Sequence, residues 1–146
     1  MDLSDYIREN NVSVQRLIAQ VSQLSSADYG TDMGGGWTVS TALVHLAFWD
    51  SCRLALLRRW IMDGVSVTTS DSEVINQGVE ALAGAITGPA AGTMAVRAAQ
   101  AHDTEINRIS PELADAIAAA DQLTVLRRSV HRNAHLDEIE RALRQA

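Results

Sequence analysis

The chain has 146 residues, a formal charge of −6, and a composition that is 47% hydrophobic but only 4% aromatic. That length gives one domain, 1–146, with room for a real core, and the shortage of aromatics suits packed helices better than a β-sandwich. The acidic balance, with no basic cluster beyond Arg58-Arg59 and Arg127-Arg128, argues against a nucleic-acid partner.

The lone Cys52 excludes an intramolecular disulfide and fits a reducing compartment. No run reaches about 18 apolar residues, and MDLSDYIREN lacks the apolar core of a signal peptide. A soluble, cytoplasmic protein with no membrane partner is expected.

The elements read as helices from end to end. Ile7, Asn10, Val14, Leu17, Ile18, Val21 and Leu24 recur at three and four, an amphipathic stripe capped by Ser4. It ends in SSADYG, and the glycine-rich Thr31–Gly36 loop that follows is expected to be the most flexible stretch. Thr38 caps a second helix running to about Met62, whose apolar residues (Val39, Ala42, Leu43, Leu46, Ala47, Phe48, Trp49, Cys52, Leu54, Leu57, Ile61) go nearly all round. Such a helix is the most buried of a domain.

Ser70 with Glu73 makes a capping box for a third helix that ends near Thr87-Gly88-Pro89. A fourth spans Pro89 or Thr93 to Ile109. Ser110-Pro111 opens a short piece, PELADAIAAA, with proline where its missing N–H costs nothing. The last helix runs from about Asp121 to Leu143, with Leu126, Val130, Leu136, Ile139 and Leu143 as its packing stripe. No strand-like alternation or internal repeat is visible. The pattern predicts an all-α domain, a four-helix bundle with one short additional helix.

Of the four histidines, three stand out. His131 and His135 lie four apart in RSVHRNAHLDEIERAL, so their rings leave one helix face a turn apart. Two imidazoles so placed can converge on one ion at about 2.0–2.1 Å. His45 sits far upstream in GWTVSTALVHLAFWD, on a face with Ala42, Trp49 and Cys52, and closes a triad only if its helix packs on the last one. Three neutral imidazoles leave a coordination position open, the layout of a catalytic metal site. The competing reading is ordinary helix histidines bonded to carbonyls or water, and for His45 on an apolar face some such partner is obligatory.

His102, beside Asp103 and Glu105, reads as solvated. Cys52 reads as a small buried hydrophobe, with soft metal ligation as the alternative. Asp50 and Glu138 are carboxylates suited to hold a ligating histidine's other N–H or to act as general base; Glu138 is equally placed to pair with Arg141. Trp37 and Trp49 suit either packing or the wall of a pocket.

GWTVSTALVHLAFWD resembles the second-helix signature of the DinB/YfiT-like metalloenzymes, in which Trp-Thr-Val opens a helix carrying a ligand histidine before Leu-Ala. TVLRRSVHRNAHLDEI is similar to that superfamily's final helix, where HxxxH is followed by Leu and then Ile. About thirty residues carry the motifs, while length and helix order agree across the chain. The resemblance implies a four-helix bundle holding a divalent metal, zinc or nickel, on His45, His131 and His135, assembled as a homodimer.

This sequence departs from the pattern in its three glycines before Trp37. The maleylpyruvate isomerase branch usually has an additional C-terminal domain, which is not expected here, so that particular reaction is the less expected one. The branch that transfers mycothiol- or bacillithiol-type thiols to electrophiles is built at about this size.

The expectation is a metal-dependent enzyme acting on a small molecule. It is either a transferase using a low-molecular-weight thiol or a hydrolase, with Asp50 or Glu138 handling a proton. The rival class is a non-catalytic metal-binding or oligomerising helical module.

Overall fold

Asp2, rather than Ser4, starts the first helix, α1 (Leu3–Gln23), of this computed structural model, which describes residues 1–67 and 69–146. The Asp2 carboxylate accepts from the Asp5 N–H and the Asp5 carboxylate accepts from the Asp2 N–H, a reciprocal pair that a serine at position 4 cannot make. Ser4 instead donates its hydroxyl to Asp2.

A 3-10 turn at Asp28–Gly30 leads into the stretch expected to be a flexible loop. It forms a small antiparallel ladder instead, β1 (Asp32–Gly34) on β2 (Trp37–Thr38), with Asp32 opposite Thr38 and Gly34 opposite Trp37. Gly34, Gly35 and Gly36 make the reversal at φ 85°, 62° and 84°, a region in which side chains with a Cβ are strained. The glycines that read as slack are the chemistry of a tight turn.

Thr38 then caps α2 (Val39–Asp63), accepting from the Thr41 N–H as expected. The first half of α2 is buried almost all round, from Val39 to Ala47 with Thr41 excepted. Its second half has a wet face: Cys52 is exposed, against the expectation of a buried thiol, and Ile61 is 43% exposed.

α3 (Ser72–Ala83) is capped by Asp71, which accepts from the N–H groups of Glu73 and Val74, and not by Ser70. It ends several residues before Gly88. α4 (Pro89–Ile106) and α5 (Pro111–Ala119) follow, each with proline in its first turn and Ser110 capping α5.

The expected single last helix is broken into α6 (Leu123–Leu126) and α7 (Ser129–Gln145). The break at Arg127-Arg128 is bridged by Asn10 of α1. Its amide donates to the Leu126 carbonyl at 2.8 Å and accepts from the Ser129 N–H at 2.9 Å. Asn10 thus satisfies the two backbone groups that the interruption frees. Because α7 starts at Ser129, Val130 points outward and is 55% exposed, not part of the packing stripe.

α2 packs on α4, α3, α7 and α6, while α1 packs on α7 and α4. One core cluster joins Val14 and Leu17 of α1, Leu43 and Ala47 of α2, Ala91, Ala95 and Ala99 of α4, and Leu136 and Ile139 of α7. A second joins Tyr6, Leu57, Trp60, Ile106, Ile117, Val125 and Leu126. The alanine face of α4 lets it lie close, and Gly92 takes this furthest. A Cβ there would sit 2.7 Å from the Tyr29 hydroxyl and from Val21. The protein is helical apart from the short ladder, and among the described residues no helix is long and apolar enough to cross a membrane.

Candidate metal centre

The packing of α2 on α7 brings His45 to the HxxxH pair. His45 stands in the largely buried first half of α2, while His131 and His135 occupy successive turns of α7 just after its start. One ring nitrogen from each lies within 4.8 Å of the other two. His45 Nε2 and His131 Nε2 are 3.1 Å apart, and the three ring centroids are 4.7 to 5.1 Å from one another. Two nitrogens at that separation, each about 2.05 Å from a shared ion, subtend about 100°, close to a tetrahedral angle.

The β2 strand supplies a wall. Trp37 stacks on His135 with centroids 5.9 Å apart and lies tilted over His45 at 5.0 Å. Trp49, one turn beyond His45, meets it edge-on at 6.5 Å and donates its indole N–H to Asn76 Oδ1 of α3 at 2.8 Å. The ordered hairpin is therefore part of the site.

Burial and neighbouring groups keep His45 and His131 neutral. Burial, then His135 and the Arg128 guanidinium, push the His45 pKa down to about 4. Burial, then Arg128 and the other two imidazoles, push His131 down to about 3. Neutral imidazole is the ligating form.

The second nitrogens of the rings differ, and the differences fix tautomers. His135 Nδ1 is 2.8 Å from the Glu138 carboxylate. With the proton on Nδ1, its Nε2 lone pair is free, as for a ligating histidine held by a carboxylate. His131 is the opposite case. Arg128 Nη2 donates to its Nδ1 at 2.8 Å, since guanidinium only donates. The proton of neutral His131 is then on Nε2 and points at His45 Nε2. His45 carries its own proton on Nδ1, which is buried without a partner. Ligation by His131 Nε2 requires that proton to leave or to move to Nδ1, with Arg128 releasing its bond, and nitrogens up to 4.8 Å apart must close to within about 4.1 Å to share one ion.

Asp50 does not touch the triad. It is 1% exposed and accepts from Arg128 Nε at 2.7 Å and Arg132 Nε at 2.8 Å. Burial pushes its carboxyl up, but Arg132 and Arg128 outweigh this and hold it below the usual carboxylate range. Arg132 also forks onto Asp103, at 2.9 and 3.1 Å.

His102, expected to be solvated, is fully buried in the same region. It pairs with the Val125 carbonyl at 2.9 Å and with Asp103 at 3.3 Å. Cys52 is exposed and lies outside the imidazole cluster.

Sequence reading missed Arg128 and Arg132. The available signal was their spacing of four, bracketing His131 on a helix whose partner carries Asp50. Met33, Gly35, Trp37, Glu138 and Arg141 line an open cavity of about 650 Å³, which shares Trp37 and Glu138 with the surroundings of His135 but is lined by none of the three histidines. Comparison of the chain with family models, with curated proteins and with solved structures returns no match.

Proposed function

We propose that this chain is a metal-dependent enzyme acting on a small molecule, with His45, His131 and His135 as ligands of one divalent ion, zinc or nickel. The observation that carries the reading is the convergence of three imidazoles from two helices, 86 residues apart in sequence at their 3.1 Å contact.

We further read α1, α2, α4 and α7 as a DinB-like four-helix bundle that pairs as a homodimer, the arrangement the two motifs imply. When bound, such an ion supplies a Lewis acid that brings the pKa of a coordinated water or thiol towards 7.

The chain's own residues supply the rest. Glu138 orients His135 through Nδ1 and, exposed at the rim of the cavity, is the carboxylate placed to take a proton from a substrate. Asp50 acts through Arg128, which it holds behind His131. Trp37 shields one side of the triad from water, and the adjoining cavity admits a substrate such as a low-molecular-weight thiol and its electrophile, or a hydrolysable one.

A second reading, a helical module that binds no ion in service, is favoured by one contact: the Arg128 donation that places a proton on His131 Nε2. Metal analysis separates the two. Protein purified without an affinity tag is expected to carry about one divalent ion per chain, and to lose thiol-conjugating or hydrolytic activity with a chelator. A chain that takes up no zinc or nickel on reconstitution sinks the enzymatic reading.

A further inference from the structure

A second cavity, of about 800 Å³, opens between α2, α3 and α4, apart from the histidines. Its lining is almost wholly apolar, with Val44, Phe48, Val79, Ile86 and Met94 among the walls. The volume falls in the range of small-molecule sites. α3 contributes little burial to the core, with only Val79 and Ala83 enclosed, so its inward face is spent mainly on this cavity.

One cation stands at the rim. Arg97 is the lone charged residue in the lining, and no carboxylate shares the cavity with it. Arg97, like Arg53, Arg59, Arg108 and Arg141, is in none of the ion pairs among the described residues, and of these five it alone lines the cavity. In a chain of net charge −6, an uncommitted guanidinium over an apolar trough selects for an anion.

We propose that this cavity binds an amphipathic monoanion, an unbranched aliphatic carboxylate whose tail lies along Val44, Phe48 and Val79 and whose head group meets Arg97. The inference is independent of the metal reading. Apolar burial supplies the affinity and the guanidinium sets the sign of the charge.

The test uses decanoate and, as a control of equal tail length and opposite charge, decyltrimethylammonium, titrated calorimetrically into the intact chain. Decanoate is expected to bind one per chain, about tenfold or more tighter than the cation. Arg97→Gln should remove most of that difference.

Gly78 lines the cavity in α3, and a Cβ there meets nothing within 4 Å, so Gly78→Leu has open space at its Cβ, improves helix propensity and adds apolar bulk to the cavity wall. That variant should abolish decanoate binding while its thermal midpoint stays at or above the wild-type value. Equal binding of the two probes, undiminished binding by Gly78→Leu, or no decanoate binding would each overturn the proposal. So would a change of oligomeric state in Gly78→Leu without decanoate binding to the wild type, which would assign the trough to a second copy of this chain.

Discussion

Two polar clusters share the interior between α2 and α7, and they are built on opposite terms. Asp50, Asp103, Arg128 and Arg132 form a closed set in which each charge meets an opposite one at 3.1 Å or less. A few ångströms away, His45, His131 and His135 face one another with no opposite charge among them, and one buried nitrogen, His45 Nδ1, has no partner. Buried polar groups are costly unless paired. The first cluster reads as structure, because its accounts close internally. The second is left open, a cluster of ligand-type atoms that could hold a metal ion. Arg128 belongs to both, holding Asp50 with Nε and His131 with Nη2.

Breaking the closed cluster should have the largest effect. Asp50→Ala leaves Arg128 with no opposite charge, only its bonds to the Thr124 carbonyl and His131, and leaves Arg132 with Asp103 alone; removing one partner of a buried pair costs about 3–5 kcal/mol. Urea unfolding should register that loss, and a change within about 0.5 kcal/mol would show that the cluster is not structural.

Perturbing the open cluster from outside should act on metal affinity and not on folding. Glu138→Ala removes the carboxylate behind His135, and outer partners of ligating histidines are worth about 10–100-fold in affinity. Zinc competition titration should show that weakening with an unchanged unfolding midpoint. A loss of stability with unchanged affinity would move Glu138 out of the site.

The two clusters should also part company in acid. His45 and His131 titrate at about 4 and about 3 in the fold against an ordinary value of 6.5. Between those values the unfolded chain binds the extra protons, so stability is intact above about 6.5 and falls as the pH drops towards 4 and then 3. Asp50, lowered from 3.8, gives up its share only at the acid end of that window. Metal-free protein should therefore have a lower urea midpoint at about pH 4.5 than at about pH 7.5. A His45→Gln/His131→Gln variant should lose less over the same interval, and identical pH profiles would contradict the neutral-imidazole account.

The smallest effect belongs to Cys52→Ser. The thiol is exposed and outside the triad, so metal content and stability should both match the wild type. A variant that loses its ion would put the ligand set in error.

Much of this was legible in the sequence because period and capping chemistry are local. Thr38 as the cap of α2, the proline-led α4 and α5 and the burial of His45 all follow from residues within a turn of one another. The HxxxH pair was readable because a spacing of four puts two imidazoles on one helix face, whereas the arrival of His45 depends on the packing of α2 on α7.

What stayed hidden depends on distant partners. The break before α7 exists because Asn10, more than a hundred residues away, bonds its loose ends, and nothing near Arg127-Arg128 announces it. His102 looked solvated beside Asp103 and Glu105, yet α6 delivers the Val125 carbonyl to it and the Asp103 carboxylate turns inward to Arg132. Asp50 sits on α2 five residues after His45, but only the packing of α7 shows that arginines, and not a histidine, claim it.

The central claim is that the open cluster is a three-histidine ion site. It is tested most directly by zinc competition titration of tag-free, metal-free protein alongside His45→Ala, His131→Ala and His135→Ala. One ion should bind per wild-type chain, and each variant should bind at least about a hundredfold more weakly, since two imidazoles hold a divalent ion far less well than three. Wild-type affinity retained by any of the three, or no zinc taken up by the wild type, would contradict the account.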